Sequence, residues 1–184
     1  MLNKLAFRNV KKSLKDYFIY LITMVIITSL MFAFNSMIFS KDILNIFSEA
    51  IVLGAMVGVA TVFIIIIIAW LINYMINFMM QRNSREFGIY LLLGMKKKEV
   101  ANLFIKENQI IGIFAFLLGI LPGIFLQQVF QTIFFSILGE DYGVKVEFNI
   151  YGFLLTAFLY LFIYVIALHR NKKKLKKMTI NEYM

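Results

Sequence analysis

Apolar side chains fill this chain in long unbroken runs rather than at alternate positions. Stretches 17–40, 51–81, 108–139 and 148–168 contain no Asp, Glu, Lys or Arg. Each reaches the roughly 20 residues that a helix needs to cross a hydrocarbon core of about 30 Å. A membrane-spanning β-strand would alternate apolar and polar residues over about 10 positions. Runs such as FIIIIIAWLI, at 63–72, show no alternation. The pattern predicts an all-α integral membrane protein with four transmembrane helices, at about 17–39, 51–81, 108–138 and 148–168. The second run is long. Its roughly 30 residues make about 45 Å of helix, so it either tilts or projects beyond the bilayer.

Between the second and third spans the pattern changes. In 82–107, Phe87, Tyr90 and Leu91 fall at i, i+3, i+4, an amphipathic helical spacing, and Leu92 and Leu93 widen the stripe. Gly94 then stops the helix as a C-cap glycine does. Val100, Leu103 and Phe104 repeat the spacing, with Lys97, Lys98, Asn102 and Lys106 on the other face. The prediction is a helix, a tight turn at Leu93, Gly94 and Met95, and a second helix running into the third span. Two readings fit this segment. It rests its apolar side on lipid, or the turn of Leu92, Gly94 and Met95 projects into a socket on a cytoplasmic subunit. At the N-terminus, residues 1–16 read as an amphipathic helix, with Leu2, Leu5, Val10 and Leu14 among basic positions. Such a piece lies in the membrane interface or contacts a partner. The two remaining loops are too short for a folded external domain.

Charge orients the bundle. The chain carries 19 Lys and Arg against 10 Asp and Glu, a net charge of +9. Of the 19, 17 lie before the first span, between the second and third, or after the fourth; only Lys41 and Lys145 do not. Cations concentrate in cytoplasmic loops, so both termini, the segment 82–107 and the basic tail 169–184 are expected in the cytoplasm. This distribution explains the basic balance without nucleic acid.

Little in the sequence points to catalysis. There is no cysteine and one histidine, His169, at an interface beside Arg170. HExxH, GxSxG, P-loop and GxGxxG patterns are absent, so no catalytic, cofactor or metal site is expected and the chain is not read as an enzyme. The spans hold no ionisable side chain except tyrosine, which argues against an ion-coupled transporter. Asn73 and Asn77 share a helix face, as do Gln127 and Gln131. They either line a cavity or bond between helices. Gly54 and Gly58, and Gly119 and Gly123, have the small-xxx-small spacing that lets helices approach closely. Pro122 lies inside the second pair and removes a backbone hydrogen bond, marking a kink or hinge.

The string REFGIYLLLGMKKKEVANLFIKENQIIG resembles the cytoplasmic loop of the FtsX-like, or MacB-type, permease superfamily of ABC transporters. Arg85 and Glu86 open the motif, Gly88, Leu93 and Gly94 follow, then Lys96 to Lys98, and Glu107 closes it. The resemblance implies that 82–107 is a coupling segment contacting a cytoplasmic ABC ATPase dimer, through Arg85, Glu86, Leu92, Leu93, Gly94, Met95, Lys96 and Lys97. ATP and Mg would be held by that partner, not by this chain. It also implies a permease domain over 17–168 in a bacterial cytoplasmic membrane. The short loop between the first two spans departs from MacB-type members, which carry a large external domain there. It is similar to the first half of ten-span permeases of the bacitracin-resistance type. A second permease half or partner permease chain is then expected. The implied cargo is a peptide antibiotic or a lipid-linked cell-wall precursor, with resistance or signalling through a sensor kinase as output. A membrane scaffold or assembly protein with an interfacial loop is the alternative.

Overall fold

The computed structural model describes residues 14–44, 51–139, 143 and 148–177. Among them are five helices of nine residues or more and no strand: α1 (Leu14–Ile38), α2 (Ile51–Arg82), α3 (Ser84–Leu92), α4 (Lys97–Leu138) and α5 (Ile150–Lys177). All but the nine-residue α3 are long and apolar enough to cross a membrane. The expected N-terminal amphipathic helix lies outside the described residues, as do 45–50, most of 140–147 and 178–184.

Two helices outrun the expected spans. The third span and the helix before it form one element, α4, whose 42 residues make about 63 Å of axis. That is twice the thickness of a hydrocarbon core. Nothing between Lys97 and Asn108 breaks a helix, so the amphipathic turns continue into the apolar ones. Pro122 sits inside this helix without ending it. The fourth span likewise continues past Leu168, through the basic residues, to Lys177.

The most extensive packing is between α1 and α4. The two run parallel at a constant offset, with Ser29 against Gly119 and Phe32 against Gly123. Small residues make this possible. A Cβ added at Gly119 would stand 2.7 Å from Thr28 Cβ, and one at Gly123 2.9 Å from Phe32 Cδ1. In lipid, where apolar area gives no drive for helices to associate, close van der Waals contact and interhelical hydrogen bonds hold them. Ser29 Oγ donates across the interface to the Gly119 carbonyl at 2.9 Å. The Thr28 hydroxyl is satisfied within its own helix, by the Met24 carbonyl at 2.8 Å.

The core is concentrated at the end of the bundle that carries α3. It combines Tyr20, Met24 and Met31 of α1 with Ile72, Ile76 and Met79 of α2, Phe104 of α4 and Tyr164 of α5. The opposite half of α2 leaves this core: Val52, Met56, Val59, Phe63 and Ile66 are exposed. The two glycine pairs therefore differ. Gly119 and Gly123 seat α1, whereas a Cβ at Gly58 meets no atom within 4 Å and Gly54 is only half-buried. Among the described residues no neighbour closes on Gly58, where α2 stands away from the core.

Candidate functional site

The site is built where α2 hands over to α3. The backbone ladder crosses that joint with one residue between the helices: Asn83 N–H donates to the Met79 carbonyl and Phe87 N–H to the Asn83 carbonyl, both at 3.1 Å. Asn83 stands at the N-cap position of α3 but its side chain makes no cap bond. Its Nδ2 instead donates to Tyr17 Oη at 2.8 Å. Tyr17 Oη donates in turn to Glu107 Oε2 at 3.0 Å. All three side chains are buried, Glu107 to 2% exposure. A carboxylate so deep needs hydrogen-bond partners, and the phenol supplies one. The chain of bonds ties the start of α1, the α2–α3 joint and α4 together. A second polar layer lies beside it: Tyr164 Oη donates to the Asn108 carbonyl at 2.6 Å and stands 3.3 Å from Tyr20 Oη.

From this joint α3 projects as an amphipathic helix. Phe87 is buried edge-on against Phe104, ring centroids 5.7 Å apart, and Tyr90, Leu91 and Met95 pack on the core from the margin. The opposite face carries Arg85, Ile89, Leu92 and Leu93 at helical spacing, all exposed. Leu92 and Leu93, expected to widen the packed stripe, are 71% and 76% exposed. They do not widen it, because they fall on the face of Arg85 and Ile89, turned away from Phe87.

The turn has defined geometry. Met95 N–H donates to the Tyr90 carbonyl and Gly94 N–H to the Leu91 carbonyl, each at 3.0 Å. This is the paired bonding of a Schellman motif, and Gly94 takes the left-handed φ of 93° that it requires. Lys96 then starts α4. Its backbone N–H donates to Glu99 Oε2 at 2.9 Å, the glutamate half of a capping box. Glu99 also places negative charge at the positive end of the helix dipole.

The residues singled out in the sequence fall into separate places. Leu92, Leu93, Gly94, Lys96 and Lys97 are exposed around the tip, with Met95 half-buried beneath, whereas Arg85 and Glu86 are exposed in the first turn of α3, at its other end. Asn73 and Asn77 bond α2 to α5: Asn171 Nδ2 lies 3.5 Å from Asn73 Oδ1, and Lys174 Nζ donates to Asn77 Oδ1 at 2.8 Å. Gln127 and Gln131 are buried far along α4, continuing the face of Gly119 and Gly123. Sequence reasoning missed Tyr17, Asn83 and the tyrosine layer. One signal was present: Glu107 is the only Asp or Glu between Glu99 and Glu140.

The C-terminal domain of the FtsX-like permeases matches residues 58–174, which includes the whole of α3, the turn and α4. The chain belongs to the FtsX-like permease family. Within that family it is 27% identical over 97% of its length to the bacitracin export permease protein BceB of Halalkalibacterium halodurans. It is 25% identical, over the same share, to the protein of that name in Bacillus subtilis. An ABC transporter permease of Bacillus subtilis, YvcS, is 27% identical over 98% of the chain. The chain spans 28% of the length of each of these three relatives. As an FtsX-like permease, it is a multi-pass membrane protein in which α3 and its turn join the second and third apolar helices, α2 and α4.

Proposed function

We propose that this FtsX-like chain is part of the permease of an ABC transporter, and that the tip of α3 docks on a cytoplasmic ATPase dimer. The observation that carries this reading is the exposed pair Leu92–Leu93 on a turn locked by Gly94. Exposed apolar side chains grouped on one surface mark contact sites. The cations Lys96 and Lys97 around them, with Arg85 on the same face of α3, suit a socket with an acidic rim. Motion at the tip passes through the Asn83–Tyr17–Glu107 bonds to α1 and α4. Two ATPase subunits holding ATP and Mg supply the energy, and this chain performs no hydrolysis. The cation bias of membrane loops favours a cytoplasmic position for the termini and α3. The names of the relatives favour a peptide antibiotic such as bacitracin, or its lipid-linked cell-wall precursor, as the species handled. Further permease segments and a sensor kinase complete the assembly.

The test replaces Leu92 and Leu93 with Glu and co-purifies the chain with candidate ABC ATPases. Both positions are exposed, so the fold is expected to survive and ATPase association and stimulation to fall at least tenfold. Unchanged association in a folded variant sinks the docking claim and returns α3 to the role of an interfacial helix.

A further inference from the structure

Between α4 and α5, on the outer surface of the bundle, lies a groove of about 450 Å³. Its walls are Ile113 and Leu117 of α4 and Leu161 and Val165 of α5, each more than half exposed. Gly112 opens the floor, since a Cβ there would collide with the Tyr164 ring. The hydroxyls of the two floor tyrosines are turned inward: Tyr160 Oη donates to the Gly112 carbonyl at 3.0 Å, and Tyr164 Oη to that of Asn108. The groove thus offers carbon along its length, with one polar side chain, Gln109, at the end that carries the core.

The charge at its mouth selects the occupant. From Gln109 to Leu117 the groove follows about 12 Å of helix axis, an apolar slot open along the side of its exposed walls. At the Gln109 end the wall residues Leu161, Val165 and Leu168 continue in register to His169 and Lys172. Beyond Leu168, α5 carries six Lys and Arg and no acid. Lys174 is committed to Asn77 on the α2 side, whereas His169 and Lys172 continue the groove wall.

We infer that this groove binds an anionic glycerophospholipid, with one acyl chain in the slot and the phosphate against Lys172, His169 and the Gln109 amide. Basic positions at the mouth of an apolar crevice between transmembrane helices are suited to anionic head groups. The inference does not depend on ATPase docking. Only the assignment to the inner leaflet rests on the proposed orientation.

Native mass spectrometry of the 184-residue chain in mild detergent, titrated with phosphatidylglycerol or phosphatidylcholine, tests it. One phosphatidylglycerol is expected to be retained, with roughly tenfold preference over phosphatidylcholine. Lys172→Glu should weaken it roughly tenfold, while Lys98→Glu, the same charge change on another element, should not. Val165→Trp fills the slot from an exposed position and should abolish retention with the helical circular dichroism spectrum unchanged; Leu161→Trp serves if that variant misfolds. Equal retention of the two lipids, or equal loss in the two charge variants, overturns the inference in favour of diffuse attraction. Persistent lipid binding in a folded tryptophan variant that has lost self-association also overturns it, and assigns the groove to a protein helix.

Discussion

Tyr17 is held at one oxygen between an amide it accepts from and a carboxylate it donates to. Replacing it by Phe leaves the Asn83 amide and the Glu107 carboxylate each short of a partner in a buried place. Such a loss costs about 1–3 kcal/mol, so Tyr17→Phe should lower the midpoint of thermal unfolding in detergent by several degrees. Glu107→Gln keeps an acceptor for the phenol and should cost less than Glu107→Leu; the reverse order would remove the carboxylate from its assigned role. The glycines separate in the same assay. Gly119→Leu forces side-chain atoms into Thr28 and the Val25 carbonyl, and overpacking of this kind costs about 1–3 kcal/mol. Gly58→Leu meets open space and should leave the midpoint within a degree.

At the scale of elements, α3 and its turn depend on one backbone conformation. A side chain at the left-handed φ of Gly94 costs about 1–2 kcal/mol. Gly94→Val should therefore loosen the α3–α4 hairpin, read as faster amide exchange from Ile89 to Lys96 with exchange in α1 unaltered. The helices themselves were legible in the residues. Four uncharged runs gave four spanning helices, and the i, i+3, i+4 spacing of Phe87, Tyr90 and Leu91 gave α3, with Gly94 as its stop. What meets Leu92 and Leu93 was not legible, because spacing puts them on the face away from Phe87 but does not say whether lipid or protein covers that face. Nor was the Tyr17–Asn83–Glu107 link, whose members lie 66 and 90 residues from Tyr17. The packing of α1 on α4 brings Glu107 to Tyr17, and that of α1 on α2 brings Asn83. The open space at Gly58 among the described residues has the same cause: a small-residue spacing permits approach without supplying the neighbour.

On the scale of the whole molecule, the core gathers at the end that bears α3, and the other half of α2 stands apart from it. The natural absence of cysteine makes the orientation directly measurable. Lys41→Cys should react with a membrane-impermeant maleimide added outside intact cells, and Lys98→Cys only after lysis; the opposite result would invert the proposed topology. α4 reaches from the tip of α3 to the far end of the bundle. It is seated on α1 from Glu107 through Gly119 and Gly123 to Phe130. Contact over that whole length leaves no single pivot. The pair is braced like a doubled rod, so a displacement entering at the α3 end would reach the far end only by carrying α1 along with it.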